Sequence, residues 1–112
     1  MAYAPFDVVL VPFPYSDKLA EKRRPAVVVS APELERRHGL LWLAMITSAS
    51  NPAWTEDVMV SDLKAAGLPH PSRIRPVKIA TADAARIVRR TGRLPPKDAA
   101  ALKTRLKALV AG

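Results

Sequence analysis

Short apolar runs separated by prolines and charged residues occupy the first three quarters of the chain, and this pattern predicts five β-strands. The runs cover residues 8–11, 25–30, 40–46, 57–60 and 74–80. Proline is tolerated in a sheet at a strand's first residue, at an edge or at a bulge. We therefore expect Pro25 to enter the second strand and Pro76 to mark an edge or a bulge. The polar residues 15–24 predict an exposed loop.

The last third of the chain changes to helical spacing. Thr81 can cap a short helix that extends to residues 87–88. Pro95 and Pro96 can open a second helix, in which Asp98 would suit the positive end of the helix dipole. Apolar residues then recur on one helical face, which is expected to pack on the core. They are Ala99, Leu102, Leu106 and Leu109, and Lys103, Arg105 and Lys107 lie off this face.

Five short strands followed by helices predict a mainly β fold, either a small barrel or a sandwich, with helical additions. Closure into a barrel is favoured because it removes exposed strand edges. A chain of 112 residues is expected to form one domain over residues 1–112, with one modest core.

Composition narrows the classes of function. The chain has no cysteine, which excludes disulfides, thiolate metal sites and a cysteine nucleophile. Its two histidines, His38 and His70, leave little for a histidine zinc site, and no metal or cofactor is expected. The longest apolar run, residues 40–46, is too short for a membrane span. The N-terminus lacks the features of a signal peptide, so we expect a soluble cytoplasmic protein.

The net charge of +8 is distributed unevenly along the chain. Residues 1–56 carry six Lys/Arg and six Asp/Glu, whereas residues 57–112 carry twelve and four, so the whole excess lies in the second half. This asymmetry favours a polyanionic partner, either nucleic acid or an acidic protein. A solvated basic surface that aids solubility is the alternative.

Two short segments could carry chemistry on a phosphate. Arg24 follows two basic residues and precedes Pro25, which favours an extended backbone. Its guanidinium can bind a phosphate with two hydrogen bonds. Thr47 and Ser48 follow an apolar run and could donate to phosphate oxygens, although hydroxyls there are also common turn formers. A solvated basic loop is the corresponding alternative for Arg24.

Seven segments carry a further signal when they are taken in order and with their spacing. They are FDVVLVPFPYSD at 6–17, KRRPAVVVS at 22–30, AMITS at 44–48, AGLP at 66–69, PS at 71–72, IAT at 79–81 and GRL at 92–94. The ordered set resembles the MazF/PemK family of toxin endoribonucleases, and the resemblance covers roughly residues 5–110.

The resemblance implies an SH3-like barrel of short antiparallel strands with a C-terminal helix, acting as a homodimer. It also implies a metal-independent, cofactor-free ribonuclease that cuts single-stranded RNA at short sequences, and a cognate antitoxin, expected to be acidic. RNA supplies its own nucleophile, the 2′-hydroxyl. Two other classes stay open: a toxin of the same fold that poisons DNA gyrase, and a non-catalytic RNA-binding barrel.

The resemblance also assigns residues. The family's catalytic arginine precedes the proline of the second strand, which is Arg24 here, and its catalytic threonine ends the third strand, which is Thr47. The predicted RNA contacts are Ser16, Lys18, Lys22, Arg23, Ser48 and Lys78. By residue type, His38 and His70 are alternative acid–base groups, with surface residues as the other interpretation.

Two positions depart from the family pattern. Phe6 stands where a glycine often precedes the first aspartate, and Pro95 stands where a serine often caps the last helix. The first departure could alter the entry to strand one, and the second weakens a cap.

Overall fold

One curled antiparallel sheet carries the fold. The computed structural model describes residues 2–14 and 21–112, and within them six strands follow the order β4-β5-β3-β2-β1-β6. The elements are β1 Asp7–Pro14, β2 Glu21–Val28, α1 Pro32–His38, β3 Leu40–Ser48, β4 Val58–Met59, α2 Leu63–Ala66, β5 Ser72–Asp83, β6 Arg89–Arg93 and α3 Pro96–Leu109. The predicted class, a small mainly β barrel with a C-terminal helix, is confirmed in the form of a half-barrel.

Successive residues of the central strands enter two separate apolar clusters, because side chains alternate between the faces of a strand. Val8 and Val27 belong to the cluster that α3 covers through the fully buried Leu102. Val9 and Val28 belong to the cluster on the other face. The predicted apolar face of α3 therefore packs on the core, except at its end, where Leu109 is exposed.

The first hairpin is longer than the sequence pattern predicts. Residues 21–24, expected in a loop, form the first half of β2, where Arg24 pairs with Val11 of β1. Pro25 consequently lies within the strand and not at its entrance. It is tolerated because β3 pairs with β2 only from Ala26 to Val28, so one side of β2 is an open edge at Pro25.

The prediction of a helix after Thr81 is wrong. β5 extends to Asp83, and its last residues pair with the start of β3, Thr81 opposite Trp42. A 3₁₀ turn over Ala84–Arg86 then leads into β6, which pairs with β1. Pairing of residues 81–83 with β3 outweighs the weak local helix signal. Pro76, expected at an edge or a bulge, lies at an irregularity of β5, since the register against β3 shifts between Ile79 and Arg75.

Helix α2, like α1 not predicted from the sequence, covers the edge strand β6. Thr91 Oγ1 of β6 donates a hydrogen bond to the carbonyl oxygen of Ala66 at 3.0 Å. A Cβ on Gly92 would lie 2.2 Å from the carbonyl oxygen of Ala65, and a Cβ on Gly67 would lie 2.2 Å from that of Thr91. Two glycines thus permit the close backbone approach that protects this sheet edge.

Both departures from the family pattern have structural consequences. Phe6 has φ 72°, in the left-handed region that favours glycine. Its N–H donates to Val28 at 2.7 Å, and its carbonyl accepts from Leu94 at 3.0 Å. Pro95 caps α3 without a side-chain hydrogen bond. Asp98 instead anchors the first turn, because its buried carboxylate accepts from the N–H and hydroxyl of Ser61.

None of the helices in the described ranges is both long and apolar enough to cross a membrane.

Candidate active site

Adjacent strands bring Arg24 and Thr47 together. β2 and β3 pair with Ala26 opposite Met45, and extending this register by two residues places Arg24 opposite Thr47. The pairing itself stops at Ala26. Beyond it, both side chains line an open cleft of about 470 Å³.

The cleft is cationic. Its polar and charged lining residues come from four parts of the fold: Arg23 and Arg24 of β2, Thr47 and Ser48 of β3 with the following Asn51, His70 and Ser72 at the start of β5, and Arg89 and Thr91 of β6. No acidic side chain is among the described residues that line it. Three arginines, four hydroxyls and one amide suit a phosphodiester chain, since they supply positive charge and hydrogen-bond donors to its oxygens.

A second depression, of about 250 Å³, adjoins the same pair of residues. Arg24 and Thr47 line it together with Lys78 of β5. The ammonium of Lys78 lies 5.6 Å from the ring centroid of Trp54. Lys78, chosen from the sequence as an RNA contact, is therefore adjacent to the predicted catalytic pair.

The other predicted RNA contacts are placed differently. Arg23 and Ser48 line the main cleft. Lys22 is exposed on β2 and is absent from the described lining of both depressions. Ser16 and Lys18 lie outside the described residues.

A buried ion pair fixes the 49–57 loop, which connects β3 to β4. Arg75 Nη2 lies 2.9 Å from Asp57 Oδ2, and the two side chains are only 9% and 4% exposed. The same nitrogen donates to the carbonyl oxygen of Pro52 at 2.8 Å, and the guanidinium carbon stacks 4.0 Å from the Trp54 ring centroid. Burial by itself would raise the pKa of Asp57, but hydrogen bonds from Arg75 and from the Trp54 backbone N–H outweigh it and lower the pKa below its usual value.

The loop also reaches Thr47 directly. Asn51 Nδ2 donates a hydrogen bond to Thr47 Oγ1 at 2.6 Å. Asn51 lines the cleft. The sequence did not identify it as a site residue, because it stands in an ordinary polar stretch after an apolar strand.

Two further residues line the cleft: His70, which the sequence offers only as an alternative acid–base group, and Arg89, which the sequence does not single out. His70 lies between Pro69 and Pro71, and its carbonyl accepts a hydrogen bond from Ser72 Oγ at 2.7 Å, which fixes the turn. Arg89 enters the cleft from β6, a strand that was not predicted from the sequence. The other histidine, His38, ends α1 and lines a separate depression with Trp42.

Comparison with protein families gives one match over nearly the whole chain. The family model of PemK-like, MazF-like toxins of type II toxin–antitoxin systems matches residues 4–110. No curated protein gives a significant sequence match.

Comparison with solved structures supports the same architecture. MazF from Deinococcus radiodurans superimposes with a TM-score of 0.75 at 19% identity, over 97% of this chain and 96% of that chain. A MazE–MazF structure from the same organism gives a TM-score of 0.77 at 17% identity, over 97% and 96% of the two chains. An endoribonuclease in complex with its cognate antitoxin, from a mycobacterial species, gives 0.75 at 15% identity over 96% and 93%. At these identities the likeness shows the fold.

Proposed function

We propose that this chain, which belongs to the family of PemK-like, MazF-like toxins of type II toxin–antitoxin systems, is an endoribonuclease that cuts single-stranded RNA without a metal ion. The observation that carries the proposal is the meeting of Arg24 and Thr47 in one cationic cleft at the open end of the β2–β3 pair. The family resemblance implies cleavage at short RNA sequences, and side chains around this cleft would recognise the bases of such a sequence.

The chemistry needs no protein nucleophile. The 2′-oxygen of the RNA attacks the adjacent phosphorus, a new P–O bond gives a 2′,3′-cyclic phosphate, and the bond to the 5′-oxygen breaks. The 2′-hydroxyl loses a proton, and the leaving 5′-oxygen gains one. Arg24 stabilises the negative charge on the phosphoryl oxygens with its guanidinium, and Thr47 adds a hydrogen bond. Arg23, Ser48 and Lys78 bind the phosphates of the RNA on either side of the cleaved bond.

The function is tested by incubating the purified protein with a long single-stranded RNA in EDTA. We expect cleavage at a limited set of sites, with 2′,3′-cyclic phosphate and 5′-hydroxyl ends. A duplex of the same sequence should stay intact. RNA that stays intact while DNA gyrase is inhibited would indicate the gyrase-poisoning alternative, and RNA that is bound but uncut would indicate a binding barrel.

His70 is the group that we assign to proton transfer. Histidine exchanges protons near neutral pH, whereas the guanidinium does not. His70 is exposed in a turn between two prolines and lines the cleft. Among the described lining residues, the other charged groups are Arg23 and Arg24 of β2 and Arg89 of β6. The arginines favour binding of a phosphate in the cleft that His70 also lines.

Replacing His70 by Gln should lower kcat by about 10²-fold or more, because acid–base groups typically contribute 10²–10⁴. His38→Gln is the matched control, since it removes the chain's other histidine, which lies outside the cleft. A His70→Gln variant with the parental kcat would remove His70 from the mechanism.

An antitoxin and a second copy of the chain complete the proposed system. An acidic, flexible antitoxin segment can occupy the phosphate positions of the cationic cleft and compete with RNA for them. The exposed apolar side chains of Val77 and Ile79 on β5 are a surface that a homodimer could cover.

A further inference from the structure

We propose that Asn51 is a positioning residue that sets the direction in which the Thr47 hydroxyl donates its hydrogen bond. The inference deepens the endoribonuclease function proposed above and rests on it. Its basis is the contact between Asn51 Nδ2 and Thr47 Oγ1, 2.6 Å apart, within the cleft that both residues share with Arg24.

The hydroxyl of threonine has one proton and two lone pairs. The amide N–H of Asn51 occupies one of the lone pairs, so the hydroxyl proton must point elsewhere. Thr47 can then donate to a phosphoryl oxygen without first giving up another acceptor. A donor that is already aimed at the place where charge develops stabilises the transition state more than a rotating one.

The backbone around Asn51 is tied at several points, which makes it suited to this role. The Asn51 N–H donates to the carbonyl oxygen of Ser48 at 3.0 Å, and the Ala49 N–H donates to that of Pro71 at 2.9 Å. Arg73 Nη2 donates to the carbonyl oxygen of Ala49 at 3.2 Å. On the other side, Arg75 holds the carbonyl oxygen of Pro52. The amide is therefore presented to Thr47 by a loop that is fixed on both sides.

A double-mutant cycle on RNA cleavage under single-turnover conditions tests the proposal. Thr47→Val removes the hydroxyl and should cost about 10²–10³ in rate. Asn51→Ala in the parent should cost about 10-fold in the cleavage step, with little change in RNA affinity. In the Thr47→Val background the same substitution should have no further effect, because the group it acts through is gone.

A loss that is equal in both backgrounds would overturn the proposal, since an RNA contact or a role in folding does not depend on the Thr47 hydroxyl. Parent protein that leaves RNA intact would overturn the proposed function itself, and this inference with it. Thr55→Ala, in the same loop and exposed, is the matched control and should cleave like the parent. Urea midpoints of all variants show whether each is folded.

Asn51→Asp gives a second, independent readout. The carboxylate has nearly the same shape but only accepts hydrogen bonds, so it draws the Thr47 proton toward itself and away from the substrate. It should therefore impair cleavage more than Asn51→Ala. This extra loss should shrink in the Thr47→Val background, where only the effect of the added charge is left. An Asn51→Asp variant as active as the parent would contradict the assigned hydrogen-bond direction.

Discussion

Arg24→Ala should abolish RNA cleavage, with a loss of about 10³-fold or more, while the protein stays folded. Arg24 and Thr47 both line the cleft at the open end of the β2–β3 pair. Arginines that stabilise phosphoryl charge in other enzymes contribute 10³–10⁵ to the rate. Arg24→Lys should also be a poor enzyme, because an ammonium cannot replace the planar fork of donors. Single-turnover cleavage, together with urea unfolding, measures both claims.

Arg37→Ala is the control for net charge. It removes one arginine from the exposed surface of α1, which lies outside the cleft. It should cleave at the parental rate and differ only modestly in salt dependence. Cleavage by Arg24→Ala at the parental rate would show that the charge of the cleft, and not this residue, supports the reaction.

Asp57→Ala should destabilise the fold by about 3–5 kcal/mol, because it leaves the buried guanidinium of Arg75 without its anion. Urea unfolding at neutral pH measures the effect. Replacing both partners, Asp57→Leu with Arg75→Met, should recover much of the loss, since an apolar pair leaves no buried charge. Glu33→Ala breaks the exposed Glu33–Arg36 pair of α1 and should cost only a few tenths of a kcal/mol. Equal losses in Asp57→Ala and Glu33→Ala would contradict a structural role for the buried pair.

The same pair should make stability depend on pH in the acid range. The pKa of Asp57 is lower in the folded protein than its usual value. The stability that this shift contributes is fully present above the ordinary aspartate pKa of about 4 and is lost as the pH falls through the lower folded value. The Asp57→Leu, Arg75→Met variant should lack this component of acid unfolding.

The central strands and α3 could be predicted because their apolar patterns are continuous and long enough to be distinctive. The first half of β2 could not, because residues 21–24 are charged and become a strand only through pairing with β1. β6 was not predicted for a similar reason, because its strand conformation comes from pairing with β1 over residues 89–93. Short helices such as α2 have too few residues to show a period.

Some residues of the candidate site could likewise be predicted from the sequence, and others could not. Arg24 and Thr47 were assigned through the resemblance to the MazF/PemK family, and the structure places them on neighbouring strands. Asn51, His70 and Arg89 reach the cleft from a loop, a turn and an edge strand. Their convergence depends on how the half-barrel curls, which no local pattern encodes.

Phe6 adopts a backbone conformation that usually requires glycine. The left-handed conformation disfavours a side chain by roughly 1–2 kcal/mol, yet Phe6 adopts it. Hydrogen bonds to Val28 and from Leu94 fix its backbone from outside, and its ring packs against the core cluster around Val8. The sheet and not the local residue therefore specifies this turn. The family model matches this chain although Phe6 stands at this position, so a glycine before the first aspartate is not required for the turn or for membership of the family.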